Sequence, residues 1–285
     1  ATTPDAVRTN RNRGQLSAMI GIENAYSLGH DLVNLNAAYR RGARYLGLVH
    51  VGNNDLCTSS LPDEKRGETD AAGMSDFGRE AVLRANRLGM MVDVSHASDA
   101  CVRDALAIST APMIASHSSA RALIDHPRNL PDDLLRAIAA KGGVVQTVAY
   151  REFLKLDPAR KAAEKALEAV VAKAAGDAEF DSEKHDQLPA YIEGMRRIER
   201  EHPMATLEDF LDHVEHIANV AGIDHVGIAS DFDGGGMITG WTDASETRNV
   251  TAGLRRRGFN ETDIAKIWSG NLLRVWHEVE AAAEH

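Results

Sequence analysis

Short apolar runs alternate with longer amphipathic segments along most of the chain. Six of the runs have the length of a strand: 17–23, 45–50, 90–96, 113–117, 143–149 and 225–231. The segments between them mostly carry apolar residues at helical spacing, with cap and stop residues at their ends. Because continuous apolar runs are typical of parallel strands covered on both faces, the pattern predicts an α/β fold.

The third and fourth predicted strands show how the chain is organised. Between them, residues 98–108 are predicted to form a helix that is capped by Ser98 or Asp99 and ends before Pro112. A crossover of this length returns the chain to the same end of the sheet, so the two strands are expected to be parallel neighbours. His96 and His117 then lie at the carboxyl ends of adjacent strands.

Polar residues end five of the six predicted strands. They are Glu23, His50, His96, His117 and Asp231. In an open sheet, ligands bind where the strand order reverses, whereas a barrel of alternating strands and helices uses the carboxyl ends of all its strands. The distribution therefore favours a barrel with these side chains around one opening.

Two segments interrupt the alternation. Residues 52–74 carry Gly, Asn, Ser and Asp without periodicity and are predicted to be a long loop, a feature that is usually functional in compact domains. Residues 151–205 are rich in Ala, Glu and Lys and are expected to form a helical excursion on the rim of a single barrel domain that spans 1–285.

Composition excludes several classes of function. The formal net charge is -10, and the chain has no dense Lys/Arg run with interleaved aromatics, which argues against nucleic-acid binding. No apolar run approaches the roughly 20 residues that a membrane span requires. Cys57 and Cys101 allow one disulfide, which the sequence neither favours nor excludes. The compartment therefore stays open, either cytoplasmic or, if a leader was removed, periplasmic or secreted.

The predicted strand ends carry the residue types of a metal-dependent hydrolase. Two histidines and a carboxylate suit Zn²⁺ or a similar divalent ion that keeps an open position for water. A further carboxylate near that water, such as Asp231, can take up its proton and pass it to a leaving amine. The motifs GxSxG, GxxxxGK[ST] and GxGxxG are absent, so serine-hydrolase, P-loop and dinucleotide-binding functions lack support.

Each of these residues also has an ordinary alternative. A lone histidine beside an apolar run is more often a core or cap residue than a ligand, and Glu23 alone could cap the helix after it. Asp231 alone could form a turn with the glycine backbone at 234–236. Asp93 is expected to point away from the inward face of its strand. His213 and His216 are expected on a solvated helix face.

Taken together, the motifs make the chain resemble the membrane (renal) dipeptidase family, zinc peptidases of the amidohydrolase superfamily of TIM barrels. The resemblance runs in family order over about residues 16–282. The matching stretches are 20–23 (IGIE), 45–54 (YLGLVHVGNN), 92–96 (VDVSH), 116–121 (SHSSAR), 127–132 (PRNLPD), 226–234 (VGIASDFDG) and 270–276 (GNLLRVW).

The resemblance implies hydrolysis of the peptide bond of dipeptides through attack by a metal-bound hydroxide. Glu23 would bridge two zinc ions in the active site of the complete protein. His96 and His117 would complete the shell of the second ion. The family likeness also implies a homodimer.

Three further residues acquire roles from the same resemblance. Asp231 would be the acid and base that serves the attacking hydroxide and the leaving amine. His50 would steady the substrate carbonyl as it becomes an oxyanion. Arg128 would bind the C-terminal carboxylate of the dipeptide, a role that suits a planar two-pronged cation.

One departure from the family pattern concerns the first metal. The family barrel begins with a strand that ends in a His-x-Asp pair, and no such pair precedes Glu23. A (β/α)₈ barrel has eight strands and six are predicted, so we expect the first two strands to be missing from this chain. There are two alternatives to a dipeptidase. One is another amidohydrolase that acts on N-acyl amino acids or cyclic amides, and the other, if the ligands of the first metal are truly absent, is a noncatalytic ligand-binding barrel.

Overall fold

The computed structural model describes residues 1–283 and contains one parallel sheet of six strands. The strands are β1 (Ile20–Ile22), β2 (Ala43–Gly47), β3 (Met91–Asp93), β4 (Met113–Ala115), β5 (Val144–Val148) and β6 (Val226–Ala229). Each strand pairs in parallel with the next one along the chain, in the order β1-β2-β3-β4-β5-β6. The sheet curls into a half-barrel, which confirms the α/β class, the six predicted strands and their parallel order.

Helices connect the strands. They are α1 (Pro4–Asn12), α2 (Val33–Arg40), α3 (Asp76–Leu88), α4 (Asp99–Ile108), α5 (Asp132–Ala140), α6 (Arg151–Leu154), α7 (Pro158–Ala175), α8 (Ser182–His185), α9 (Pro189–Glu201), α10 (Leu207–Ala221), α11 (Thr247–Arg256), α12 (Glu261–Ala265) and α13 (Asn271–Ala281). The Ser98 hydroxyl accepts a hydrogen bond from the Cys101 amide and so caps α4 as predicted. The segment predicted as a helical excursion contains α6 to α9. Within residues 1–283, no helix is both long and apolar enough to cross a membrane.

The strands are shorter than the sequence predicted. β2 and β3 each end three residues before the histidine that was expected to terminate them, at Gly47 and Asp93. The His96 backbone has a left-handed φ of 67°, which an extended strand cannot contain. The histidines therefore lie in the loops that follow the strands, although they remain at the carboxyl edge of the sheet.

Strand β3 is buried on both faces of the sheet, which accounts for its continuous apolar run. In β3, Val92 packs into the larger core, which also contains buried residues of α3, α4, α5 and α10. Its neighbour Met91 points to the opposite face, against Val275 and Trp276 of α13. Alternate residues of one strand thus enter two different apolar clusters, and no position within the strand is left for a polar solvent face.

The predicted loop at 52–74 is tied to the segment after β3. The Ser60 amide donates a hydrogen bond of 2.8 Å to the His96 carbonyl, and the Ser59 hydroxyl donates one of 2.5 Å to the His50 carbonyl. A disulfide joins Cys57 to Cys101 of α4, with a Cα–Cα distance of 6.0 Å. The loop therefore supports the backbone of both histidines.

We predict that removal of this disulfide lowers the free energy of unfolding. The bond links residues 44 positions apart, and the restriction it places on the unfolded chain is worth about 2–4 kcal/mol. Urea unfolding of the double variant Cys57→Ala/Cys101→Ala should show this loss. A reducing agent should lower the unfolding midpoint of the wild type and leave that of the variant unchanged. Equal midpoints for wild type and variant under oxidising conditions would contradict the prediction.

His213 lies inside the fold, so the expectation of a solvated position was wrong. Its side chain is on α10 and only 1% of the residue is exposed. The Nδ1 atom accepts a hydrogen bond of 3.0 Å from the Ala120 amide, so it satisfies a buried backbone donor in the loop after β4. His216, one turn along α10, instead pairs with Asp132 of α5 at 2.8 Å.

We predict that His213 makes the protein less stable in acid. Burial lowers the pKa of His213 to about 4 from an ordinary value of 6.5. Between these pH values the unfolded chain binds a proton that the folded protein excludes, so stability should fall as the pH drops from about 6.5 to about 4, by up to roughly 3 kcal/mol. In His213→Asn the amide oxygen can still accept the Ala120 bond, but it cannot take up the proton.

The check is urea unfolding at a series of pH values in this range. The His213→Asn variant should lose less stability on acidification than the wild type. His277→Asn, at an exposed position of α13, serves as the matched control and should behave as the wild type does. Parallel stability curves for wild type and His213→Asn would rule out this source of acid sensitivity.

Candidate metal centre

Glu23, His96 and His117 converge at the carboxyl edge of the sheet. Glu23 Oε1 lies 3.5 Å from His96 Nε2 and 3.4 Å from His117 Nε2. The two Nε2 atoms are 2.8 Å apart. Within residues 1–283 this is the one group of three or more His, Cys, Asp or Glu side chains whose ligand atoms all lie within 4.8 Å of one another. The predicted strand-end residues therefore include a compact set of potential metal ligands.

The environment of these three side chains keeps them in the forms that bind cations. Burial lowers the pKa of His96 to about 3, and it also lowers the pKa of His117. The pKa of Glu23 falls to about 2, chiefly because its carboxylate pairs with His96. At neutral pH the cluster thus presents two neutral imidazoles and one carboxylate, a donor set that fits Zn²⁺ or a similar divalent ion.

Backbone strain marks two positions around the cluster. Among residues 1–283, the non-glycine residues with a left-handed backbone are His96, Asp231 and Asp233, with φ values of 67°, 56° and 65°. Such conformations cost about 1–3 kcal/mol each and persist only where the surroundings impose them. Two of the three belong to the predicted site, where the turn directs their side chains away from the course of the strand.

His50 lies beside the cluster rather than within it. Its Nε2 is 3.9 Å from Glu23 Oε1, and its ring packs on that of His96 with a centroid separation of 4.2 Å. The ring is also partly exposed to the cleft that the cluster lines. This position is consistent with contact to a bound molecule.

Asp231 lines the same cleft from the loop after β6. Its backbone carbonyl accepts hydrogen bonds from Gly234 and Gly236, at 3.0 and 2.8 Å. The turn thus uses the carbonyl, and within residues 1–283 the Asp231 carboxylate receives no hydrogen bond. Burial raises the pKa of Asp231, and the nearby Glu23 charge acts in the same direction. A Cβ on Gly234 would lie 2.6 Å from Asp231 Oδ1, so the close approach requires glycine there.

Arg128 is a buried cation in the wall of the cleft. Only 3% of the residue is exposed, and its guanidinium lies 5.3 Å from the centre of the Phe153 ring. Its Nη2 donates a 3.1 Å hydrogen bond to the His117 carbonyl, while Nε has no partner within residues 1–283. Burial lowers the pKa of Arg128 to about 10, which leaves it charged at neutral pH. A buried cation with an unused donor is suited to bind an anion.

The cleft also has residues that the sequence analysis did not single out. Beyond the six predicted side chains, its lining comprises Val51, Leu61, His126, Tyr150, Glu152, Phe153 and Gly234. Tyr150 directly follows the fifth predicted strand, so its position in the sequence was an available signal. The others lie in loops and a short helix, and among them Val51, Leu61 and Phe153 offer apolar contacts to an organic substrate.

Two solved structures are similar to the chain over nearly its whole length. Among solved structures, the chain is similar to the probable dipeptidase PvdM from Pseudomonas aeruginosa, with 37% identity and a TM-score of 0.83, over 99% of this chain and 74% of PvdM. It is also similar to a metallopeptidase from Rhodobacter sphaeroides bound to a phosphinate mimic of the dipeptide L-Ala-D-Ala, with 26% identity and a TM-score of 0.75. That match covers 98% of this chain and 68% of the metallopeptidase.

A family comparison extends over the full length. The family model described as membrane dipeptidase, peptidase family M19, matches residues 1–285. This result and the metallopeptidase neighbours confirm the family that the sequence motifs indicated. The chain belongs to the membrane dipeptidase family, peptidase family M19.

Proposed function

We propose that this protein hydrolyses the peptide bond of dipeptides with the help of a divalent metal ion. The observation that carries the proposal is the meeting, in one cleft, of the Glu23–His96–His117 cluster with Arg128 and Asp231. A dipeptide carries a scissile carbonyl close to a free carboxylate. In the cleft, the Glu23–His96–His117 cluster would bind a metal ion that acts on the scissile carbonyl, and the buried Arg128 would pair with the carboxylate.

We propose Zn²⁺ as the ion, held by Glu23, His96 and His117. When bound, it would polarise the substrate carbonyl and make a bound water more acidic. The same carboxylate has a second oxygen, Oε2, that can serve another ion, in keeping with the two zinc ions that the family likeness implies. The sequential order of six parallel strands also supports our proposal that the sheet corresponds to six strands of a (β/α)₈ barrel.

Arg128 would set the position of the substrate. Its guanidinium lies in the wall of a cleft whose acidic lining residues are Glu23, Glu152 and Asp231, and its buried Nε–H has no partner within residues 1–283. A dipeptide carboxylate there would pair with the guanidinium, and the adjoining peptide bond would extend toward the histidines. Phe153 and the aliphatic side chains of Val51 and Leu61 would contact the rest of the substrate.

Asp231 would hold and move a proton. Its carboxylate receives no hydrogen bond within residues 1–283, so its oxygens are available to an attacking water and then to the leaving amine. Partial burial raises its pKa and so makes it a stronger base than an exposed aspartate. His50, whose ring faces the cleft beside Glu23, would donate a hydrogen bond to the carbonyl oxygen as negative charge develops there.

We predict that Asp231→Asn lowers kcat for dipeptide hydrolysis by about 10²- to 10⁴-fold, because asparagine cannot accept the proton. Bound metal per chain should stay the same, since Asp231 lies outside the ligand cluster. Asp233→Asn is the matched control: it lies in the same loop with the same left-handed backbone and an exposed position, and it should keep wild-type activity. Full activity in Asp231→Asn with normal metal content would remove this residue from the mechanism.

We predict that Arg128→Met raises KM for a free dipeptide by about 10- to 100-fold, because a charged hydrogen-bonded pair is lost. The matched substrate is the same dipeptide with its C-terminal carboxylate replaced by an amide. The wild type should bind the amide poorly, and the variant should treat the acid and the amide alike. If Arg128→Met still discriminates between them as the wild type does, another group binds the carboxylate.

A further inference from the structure

A buried carboxylate lies beneath the metal centre and is not one of its ligands. Asp93 ends β3 with only 2% of its surface exposed. Its Oδ1 accepts hydrogen bonds from the amides of Ser95 and Ser116, at 3.0 and 2.9 Å. Its Oδ2 accepts one of 2.6 Å from the Ser116 hydroxyl. Within residues 1–283 no Lys, Arg or His nitrogen lies within 4.0 Å of it, so these bonds, together with the more distant charge of Arg128, offset the cost of burying the carboxylate.

The Ser116 hydroxyl connects this carboxylate to a metal-ligand candidate. Its Oγ lies 2.7 Å from His117 Nδ1 as well as 2.6 Å from Asp93 Oδ2. A carboxylate can only accept, so the single hydroxyl proton is donated to Asp93. The Ser116 oxygen must then accept from His117, which requires the proton of the imidazole to be on Nδ1. That tautomer leaves the lone pair on Nε2, the atom that faces Glu23 and His96.

The backbone of the same residue is held in a second way. The Ser95 hydroxyl accepts a hydrogen bond of 2.9 Å from the His117 amide. Ser95 is itself fixed through its own amide to Asp93. Through Ser95 and Ser116, the Asp93 carboxylate therefore fixes both the backbone position of His117 and the orientation of its ring.

We propose that Asp93 and Ser116 are positioning residues that preset the Nδ1–H tautomer of His117 for metal binding. Metal-bound histidines usually donate their other N–H to a carboxylate or carbonyl, and here a serine hydroxyl stands between the imidazole and the carboxylate. The inference rests on the proposed function, because the tautomer of His117 matters only if the cluster binds a metal ion. The hydrogen-bond assignment itself does not depend on catalysis.

His96 is held differently, which gives an internal comparison. Its Nδ1 is buried with no hydrogen-bond partner within residues 1–283. No hydroxyl or carboxylate contacts this atom as Ser116 contacts Nδ1 of His117. Among these residues the Asp93–Ser116 hydrogen bonds therefore act on His117 and not on His96.

The test is ¹⁵N NMR of the histidine side chains in the full-length metal-free protein, at a pH above the ordinary imidazole pKa. We expect the proton of His117 on Nδ1. After Zn²⁺ is added, it should remain on Nδ1. A metal-free wild-type protein with the His117 proton on Nε2 would falsify the proposal. This measurement uses no substrate, so failure to hydrolyse dipeptides would count against the proposed function alone.

Variants test whether the hydrogen-bonded relay of Asp93, Ser116 and His117 sets the tautomer of the imidazole or only supports the surrounding structure. In Ser116→Ala the preference of His117 for the Nδ1–H tautomer should be lost, and Zn²⁺ affinity, measured by competition with a chelator, should fall about 10- to 100-fold. Ser116→Thr keeps a hydroxyl and should restore both. Ser119→Ala is the matched control, because its hydroxyl lies in the same loop and faces the Val148 carbonyl instead of His117. Equal affinities in Ser116→Ala and Ser119→Ala would overturn the positioning role.

Asp93→Asn tests the role of the carboxylate itself. The asparagine side chain has the same shape but replaces one oxygen with an NH₂ donor, so its hydrogen bonds to Ser116 must change. We expect a mixture of His117 tautomers and a fall in Zn²⁺ affinity of the same order as in Ser116→Ala. The double variant Asp93→Asn/Ser116→Ala should be no weaker than the more affected single variant, because both act through one ring. Additive losses would show that Asp93 acts on the metal centre by another route.

Discussion

Parallel pairing of six short strands in chain order is the constraint on which the metal centre depends. All the strands point in one direction, so their carboxyl ends reach the same edge of the sheet. The chain leaves that edge after β1, β3 and β4, where it places Glu23, His96 and His117. Side chains that are distant in sequence thereby come within 4.8 Å of one another. Any change in strand order or direction would separate them.

Burial of the histidines and pairing of Glu23 with His96 decide which ionic form each group takes at this edge. The two histidines are held neutral and Glu23 stays ionised, which are the forms required of metal ligands. Arg128 retains its charge although it is buried in the wall of the same cleft. On an open surface these pKa shifts would be smaller, because water would hydrate each group and screen it from the others. The half-enclosed cleft therefore accounts for much of the proposed chemistry.

Several independent contacts hold the loops around the cleft. Asp93 organises the turn after β3 and the start of the loop after β4 through its hydrogen bonds to Ser95 and Ser116. The long loop after β2 is joined to the same region by hydrogen bonds to His96 and by the disulfide to α4. Such support offsets the strained left-handed backbone at His96. Order in these loops thus comes from contacts outside the strands.

The sequence by itself determined the α/β class, the six parallel strands and the polar residues at their ends. These features depend on apolar runs and crossover lengths, which can be read from short continuous stretches of the chain. Family motifs added Arg128, which no periodicity distinguishes. Only the tertiary structure decided that the strands stop before His50 and His96, that Cys57 pairs with Cys101, and that His213 is buried. It also decided that Asp93 is hydrogen-bonded to Ser95 and Ser116, the two serines that contact His117. These outcomes depend on contacts between segments far apart in the chain, and local sequence patterns carry no information about such contacts.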